Sequence, residues 1–377
     1  MEMAPTFPSF TRLILLVLLL GLVRSESTEK QRYKAIYCFG DSLADTGNDR
    51  ILFGAANIPP LPYGETYFHR STGRLSNGRL LIDFIAQEFG LPLLPPYLGG
   101  PGEHGFRHGV NFAVGGALAL NQSFILEMGI NYMLPWSLDV EVGWFKQLLP
   151  SLCDSSTTNC SDFFSESLFF INEIGINDVQ GFLQLGRNKT QVRDFVTLVV
   201  QKTREAIDTL IELGAQTMVV GGFYPWGCTP AFLTEFGTNN VRDYEPETGC
   251  LKWHNQLSKY CDQLLKKEIL HARKMHPHAT IAFANYYSIL KPVFRSPNEY
   301  GFNDREALVS CCGMGGQYNF NSSNACFNNL RKAGNGLHVC QDPASRLSWD
   351  GLHLTEAAYG FVARALMEGR YSIQPLS

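Results

Sequence analysis

The chain has 377 residues, with 31 Lys and Arg against 35 Asp and Glu, a formal charge of -4. Hydrophobic residues make up 45% and charged residues 18%, the balance of a packed globular protein, which excludes a disordered chain. Near-neutral charge with no concentrated Lys/Arg run argues against nucleic acid as a partner, because a phosphate backbone needs a basic surface. What remains is a small molecule or a neutral polymer.

At the N-terminus, Leu13 to Val23 is an almost unbroken apolar run, preceded by Arg12 and followed by Arg24, Ser25 and Glu26. At about 11 residues it is too short for a membrane span, which takes roughly 20, and it has the length of a signal-peptide core. Val23 and Ser25 are small residues suited to a cleavage site, so residues 1–25 are expected to be a signal peptide and 26–377 a single domain. A buried helix opening the domain is the competing reading. No later segment is long and apolar enough to span, so stable membrane insertion is not expected.

Short β-rich apolar runs then alternate with longer amphipathic ones. Ala35 to Phe39 reads as a buried strand ended by Gly40, and Ser76-Asn-Gly as the opening of a helix carrying Leu80, Leu81, Phe84, Ile85 and Phe89 on one face. Val110 to Val114 is a second strand, closed by Gly115-Gly116, and Leu168 to Ile171 a third. A helix from about Gln191 to Leu213 precedes a fourth strand, Thr217 to Val220. Another, from about Leu251 to Lys274, precedes a fifth, Thr280 to Ala284, and Leu354 to Met367 closes the chain as a helix. Strands separated by helix-length connections imply a parallel sheet with helices on both faces. Ligands in such sheets bind beyond the carboxyl ends of the strands, so the loops after Phe39, Val114, Ile171, Val220 and Ala284 are the ones to search.

Ten cysteines suit an oxidising compartment. Cys153 and Cys160 bracket a short loop, Cys228 and Cys250 a longer one, and Cys311, Cys312, Cys326 and Cys340 cluster late in the chain. Spacing does not decide their pairing. Cys38, inside the first strand, reads as a free buried thiol, and no paired C-x-x-C suggests zinc. Asn121, Asn159, Asn188 and Asn321 head glycosylation sequons. His104 and His108 are four apart, but Gly105 and Gly109 argue for a surface loop over a metal-binding helix.

The first loop reads Phe39-Gly-Asp-Ser-Leu-Ala-Asp-Thr-Gly-Asn48. Ser42, directly after a core strand, is placed either to attack a carbonyl or to cap the next helix. A serine nucleophile needs a base and an orienting carboxylate. His353, just before the last helix, has Asp350 three residues upstream, a spacing that one turn can close. An oxyanion needs donors in place before charge develops, and Gly115-Gly116 and the Asn177 carboxamide in Gly175-Ile-Asn-Asp178 follow the second and third strands. Each loop alone reads as an ordinary turn; their agreement at one sheet end points to catalysis.

Gly40-Asp-Ser-Leu43, Gly116, Gly175-x-Asn177-Asp178 and Asp350-x-x-His353, in that order, resemble the four blocks of the GDSL, or SGNH, hydrolases, from about Tyr33 to the last helix. The resemblance implies a three-layer α/β/α sandwich around a five-stranded parallel sheet, with no cofactor and no metal. It implies Ser42 as nucleophile, His353 as base and Asp350 as its orienting carboxylate. The oxyanion hole would be Ser42 N–H, Gly116 N–H and the Asn177 side chain, with Gly115 as a less favoured alternative to Gly116. Leu61-Pro-Tyr-Gly-Glu-Thr66, Gly105-Phe-Arg-His-Gly-Val-Asn-Phe-Ala-Val114 and Cys311-Cys-Gly-Met-Gly-Gly316 are similar to the plant secreted branch that contains acetylajmalan esterase and sinapine esterase. Gly115 and Leu118 stand where that branch usually has Ala and Thr.

The function expected is hydrolysis of a small plant ester, acetyl or hydroxycinnamoyl, by a protein of the extracellular space or vacuole. An acyltransferase, a polysaccharide O-acetylesterase and, least, a non-catalytic binding protein are the competing readings. Phe223, Tyr224, Trp226, Trp136 and Trp144 are either pocket aromatics or packing residues.

Overall fold

A computed structural model describes residues 32–54, 60–102, 105–132, 134–152, 160–322, 326 and 336–369. The expected signal peptide, His104, Cys153, Asn159 and the Cys160 side chain lie outside the described part.

The five apolar runs form one parallel sheet: Ala35–Phe39 (β1), Gly109–Asn111 (β2), Ser167–Ile171 (β3), Thr217–Gly221 (β4) and Thr280–Ala284 (β5), in the order β2-β1-β3-β4-β5. Tyr37 stands opposite Val110 on one side and Phe169 on the other, and Val219 lies between Phe170 and Ala282. Every residue of β1 and β3 is buried. That is why these strands read as continuous apolar runs, since a parallel sheet is covered on both faces.

Helices Leu138–Leu152 (α4), Cys160–Ser165 (α5), Lys189–Glu212 (α7) and Lys252–Met275 (α9) are linked through contacts of α4 with α7 and β1, of α7 with α9, and of α5 and α9 with the sheet. Leu81–Glu88 (α2), Tyr286–Arg295 (α10) and Glu356–Met367 (α11) form a second group packed on one another. The result is the three-layer α/β/α architecture. Shorter helices are Asn48–Phe53 (α1), Gln122–Glu127 (α3), Ile176–Gln184 (α6) and Pro230–Glu235 (α8). Two short antiparallel strands, Cys312–Gly313 (β6) and His338–Val339 (β7), lie outside the main sheet.

Boundaries differ from the sequence reading where a side chain competes for the backbone. The second strand was expected over Val110 to Val114 but ends at Asn111, whose carboxamide takes the Ala113 N–H at 2.8 Å and donates to Ala44 O at 2.6 Å. Phe112 and Val114 still bond to the Cys38 and Gly40 carbonyls. Helix α7 begins at Lys189 because Asn188 caps it, accepting from Thr190 and Gln191 N–H while Gln191 returns to Asn188 N–H. Ser76-Asn-Gly does not open a helix: α2 starts at Leu81, where Asp83 accepts the Leu80 N–H at 2.9 Å. Ser76 and Asn77 instead reach the end of the chain, Ser76 Oγ donating to Leu354 O and Asn77 Oδ1 accepting from Glu356 N.

Among the described residues three disulfides are formed, Cys228–Cys250, Cys311–Cys340 and Cys312–Cys326. Cys38 is a free, buried thiol, as is Cys261. Among the described residues no helix is long and apolar enough to cross a membrane. His108 is exposed, and no group of three or more His, Cys, Asp or Glu among the described residues is placed to hold a metal ion.

Candidate active site

The sheet order places a topological switch between β1 and β3, because the chain leaves β1 toward β2 on one side and returns to β3 on the other. A crevice opens at the carboxyl ends of two such strands. Ser42 follows β1 and Asn177 follows β3. After β1, Glu141 of α4 accepts the Gly40 N–H at 2.9 Å, and Asp41 accepts the Leu43 N–H at 2.9 Å. This tight turn leaves Ser42 half-buried between buried neighbours.

His353 meets that serine from the far end of the chain, its Nε2 lying 2.9 Å from Ser42 Oγ. The other ring nitrogen, Nδ1, lies 2.7 Å from Asp350 Oδ2. Asp350 is held in place because its Oδ1 accepts from Leu352 N at 3.1 Å and His353 N at 2.9 Å, so the three-residue spacing does close as one turn. Gly351 permits it: φ is +101°, and a Cβ would stand 2.2 Å from the Phe320 ring.

The electrostatics match this geometry. Burial pushes the His353 pKa down, but the charge and hydrogen bond of Asp350, with Asp41 and Asp49 nearby, outweigh it and hold the imidazole above its ordinary value. Burial likewise pushes Asp350 up, and the His353 charge, the hydrogen bonds from His353 and the Tyr63 hydroxyl hold it below the usual carboxylate range. Asp41 is different: burial raises it to about 7, and Glu173 beside it is raised well above the carboxylate range by burial and by the Asp41 charge.

Gly115 and Gly116 turn out to be distinct. The Gly115 N–H donates to Asp45 Oδ2 at 2.8 Å. Among the described residues the Gly116 and Ser42 N–H groups have no protein acceptor. Gly116 has φ +77°, and a Cβ there would lie 2.7 Å from Leu134 Cδ1 and 3.0 Å from the Tyr132 hydroxyl. Asn177 is half-buried and donates one amide hydrogen to Ala117 O at 2.9 Å, which brings its carboxamide beside the Gly116 segment and leaves its second N–H. Asp178 locks the same junction, accepting from Ala119 and Leu120 N–H at 2.8 and 2.9 Å.

Several residues that position this site carried no role in the sequence reading. Asp45 accepts four backbone N–H groups, from Gly47, Asn48, Asp49 and Gly115, and so ties the loop after β1 to the loop after β2. Asn48 donates to Asn111 O and Ala113 O. Arg74 forms a buried bidentate pair with Asp83 and donates to Thr46 O. Their only signal was that Asp45, Asn48 and Asn111 stand inside the motifs already quoted. The aromatics resolve toward packing. Phe223, Tyr224 and Trp226 are buried, with Phe223 edge-on to Trp226, Tyr224 stacked on Tyr286 and Trp226 on Phe232, while Trp136 and Trp144 are half-buried against each other.

A GDSL-like lipase/acylhydrolase domain is matched over residues 36–366. Two GDSL esterase/lipases of Arabidopsis thaliana are 43% and 44% identical over 370 and 367 residues, each covering 96% of this chain and 92% and 90% of the relative. The sinapine esterase of Brassica napus is 42% identical over 356 residues, 93% of this chain and 89% of its own. With its parallel sheet and a serine, histidine and aspartate in line at the β1/β3 crevice, the chain belongs to the GDSL esterase/lipase family, serine hydrolases that act on esters.

Proposed function

We propose that the chain is a secreted carboxylesterase that hydrolyses a small plant ester, acetyl or hydroxycinnamoyl, through an acyl-enzyme on Ser42. The observation that carries this reading is the chain Asp350–His353–Ser42, at 2.7 and 2.9 Å. Asp350 keeps the imidazole proton on Nδ1, so Nε2 accepts the Ser42 proton as Oγ attacks the carbonyl carbon. The oxyanion formed takes hydrogen bonds from Ser42 N–H, Gly116 N–H and the Asn177 amide. His353 passes the proton to the departing alcohol. Water then attacks the acyl-enzyme, giving a proton to Nε2, and His353 returns it to Ser42 as the acid leaves.

Two predictions arise from these roles. Asn177→Ala lowers kcat by about 100- to 1000-fold with KM little changed, as expected for a donor used in the transition state, and initial-rate kinetics check it. The base must be neutral to act, and its pKa is raised, so the acidic limb of kcat/KM lies above the ordinary histidine value near 6.5. Below that limb the rate falls about ten-fold per pH unit. A profile flat through the acidic range contradicts His353 as base.

Support for a small ester comes from the Brassica napus relative, whose name gives sinapine as its ester. Tyr132 and Leu134 border Gly116 and would form the wall beside the acyl group. Export rests on the apolar run at 13–23, with residues 1–25 as the signal peptide, and on the disulfides Cys228–Cys250, Cys311–Cys340 and Cys312–Cys326. Asn121, Asn188 and Asn321 are exposed, as glycan acceptors must be. Turnover of p-nitrophenyl acetate, butyrate and laurate, sinapoyl and chlorogenate esters, and acetylated xylan tests the substrate class. Preference for laurate or for the polymer contradicts it.

A further inference from the structure

One residue outside the four motif blocks touches the catalytic carboxylate. Tyr63, in Leu61-Pro-Tyr-Gly-Glu-Thr66, donates its phenolic O–H to Asp350 Oδ2 at 2.7 Å, across 287 positions of sequence. It is 1% exposed, and its ring meets Trp349, the residue before Asp350, edge-on at 5.5 Å and 89°. Burial and the Asp350 charge push the phenol well above its ordinary pKa, so the hydroxyl keeps its proton and donates at every working pH.

The segment carrying Tyr63 is itself clamped to the end of the chain. Gly64 and Thr66 N–H donate to Ser76 and Asn77 O, and Ser76 and Asn77 hold Leu354 and Glu356 just beyond His353. On the other side Tyr63 and Trp349 pack against Cys311, Cys312, Cys326 and Cys340. Cys311 N and Cys312 N donate to Ser348 O and Trp349 O at 3.0 and 2.6 Å. The phenol is therefore fixed by a cross-linked frame and by strand-like pairing.

We propose that Tyr63 is a positioning residue for the catalytic carboxylate: it holds Asp350 Oδ2 in line with His353 Nδ1 and sets how strongly that carboxylate draws on the imidazole proton. The inference rests on the roles assigned to Ser42, Asp350 and His353 above. The other donors to Asp350 among the described residues, Leu352 N, His353 N and His353 Nδ1, all belong to its own turn. Among the described residues Tyr63 alone braces the carboxylate from outside that turn. A phenol sharing the carboxylate's charge weakens its pull on the imidazole, so losing that hydroxyl makes Asp350 more basic and raises His353. The remaining groups facing the pair are Asp41, with Glu173 behind it, and Asp49 toward His353, and the Tyr359 phenol toward Asp350. None of these is altered by the substitution.

Tyr63→Phe keeps the ring and removes the donor. Its kcat is expected to fall about ten-fold at unchanged KM, the loss of one charge-assisted hydrogen bond, and its acidic limb to move up by about 0.5 pH unit. Fluorotyrosine placed at position 63, a stronger donor of nearly the same shape, moves the limb the other way and carries the test alone if Tyr63→Phe does not fold. An NMR titration of His353 in the Ser42→Ala background reads the same shifts without turnover. A limb and an imidazole titration that stay in place in both Tyr63 variants overturn the proposal. Turnover surviving Ser42→Ala overturns the triad itself, so the two failures are distinguishable.

Discussion

Ser42→Ala is expected to lower kcat/KM for every ester the enzyme accepts by about 10^4- to 10^6-fold, with the melting temperature nearly unchanged. Among the described residues the Ser42 hydroxyl meets only His353 Nε2, and the residue is half-buried, so its removal strands no deeply buried donor. The groups proposed as oxyanion donors, the N–H of residue 42, Gly116 N–H and the Asn177 carboxamide, survive the substitution, which sets the expected floor of residual activity above the uncatalysed rate. Initial rates with wild type and variant, purified separately and checked for carry-over by active-site titration, decide it. A residual rate within ten-fold of wild type would place the nucleophile elsewhere.

Asp350→Asn is the second large effect, about 10^4-fold in kcat, although the two side chains are nearly the same size. A carboxamide turns an N–H toward Nδ1 or leaves it an uncharged acceptor, so the tautomer that presents Nε2 to Ser42 is no longer enforced. The charge that outweighs burial at His353 is also removed, and the imidazole pKa drops. The variant therefore combines a much lower kcat with an acidic limb displaced to lower pH, opposite in sign to Tyr63→Phe. Simple unfolding produces neither displacement. Rates measured across the acidic range, with thermal melting recorded alongside, separate the two causes.

The strands were legible because a parallel sheet buried on both faces needs apolar residues at every position, a pattern carried by five consecutive residues in β1 and β3. Asp350 and His353 were legible for a local reason, since three residues close into one turn. Ser76 misled because a serine before an apolar run is a good helix cap, while the partners that capture it and Asn77, Leu354 and Glu356, lie at the other end of the chain. Tyr63, Asp45 and Asn48 were illegible as positioning residues for the same reason. Their partners stand 287, 70 and 65 positions away, and no local periodicity records such contacts. What separates Gly115 from Gly116, the Asp45 carboxylate that takes the Gly115 N–H, reaches the glycine only in the folded chain.

The central claim is a covalent acyl-enzyme on Ser42, and the direct measurement is mass spectrometry of protein quenched in acid within its first turnovers of p-nitrophenyl acetate. An acetyl group on the peptide containing Ser42, matched in amount to a burst of p-nitrophenol and absent from Ser42→Ala, is the result predicted. Acetylation confined to another residue, or steady turnover with no acylated protein and no loss in Ser42→Ala, would contradict it.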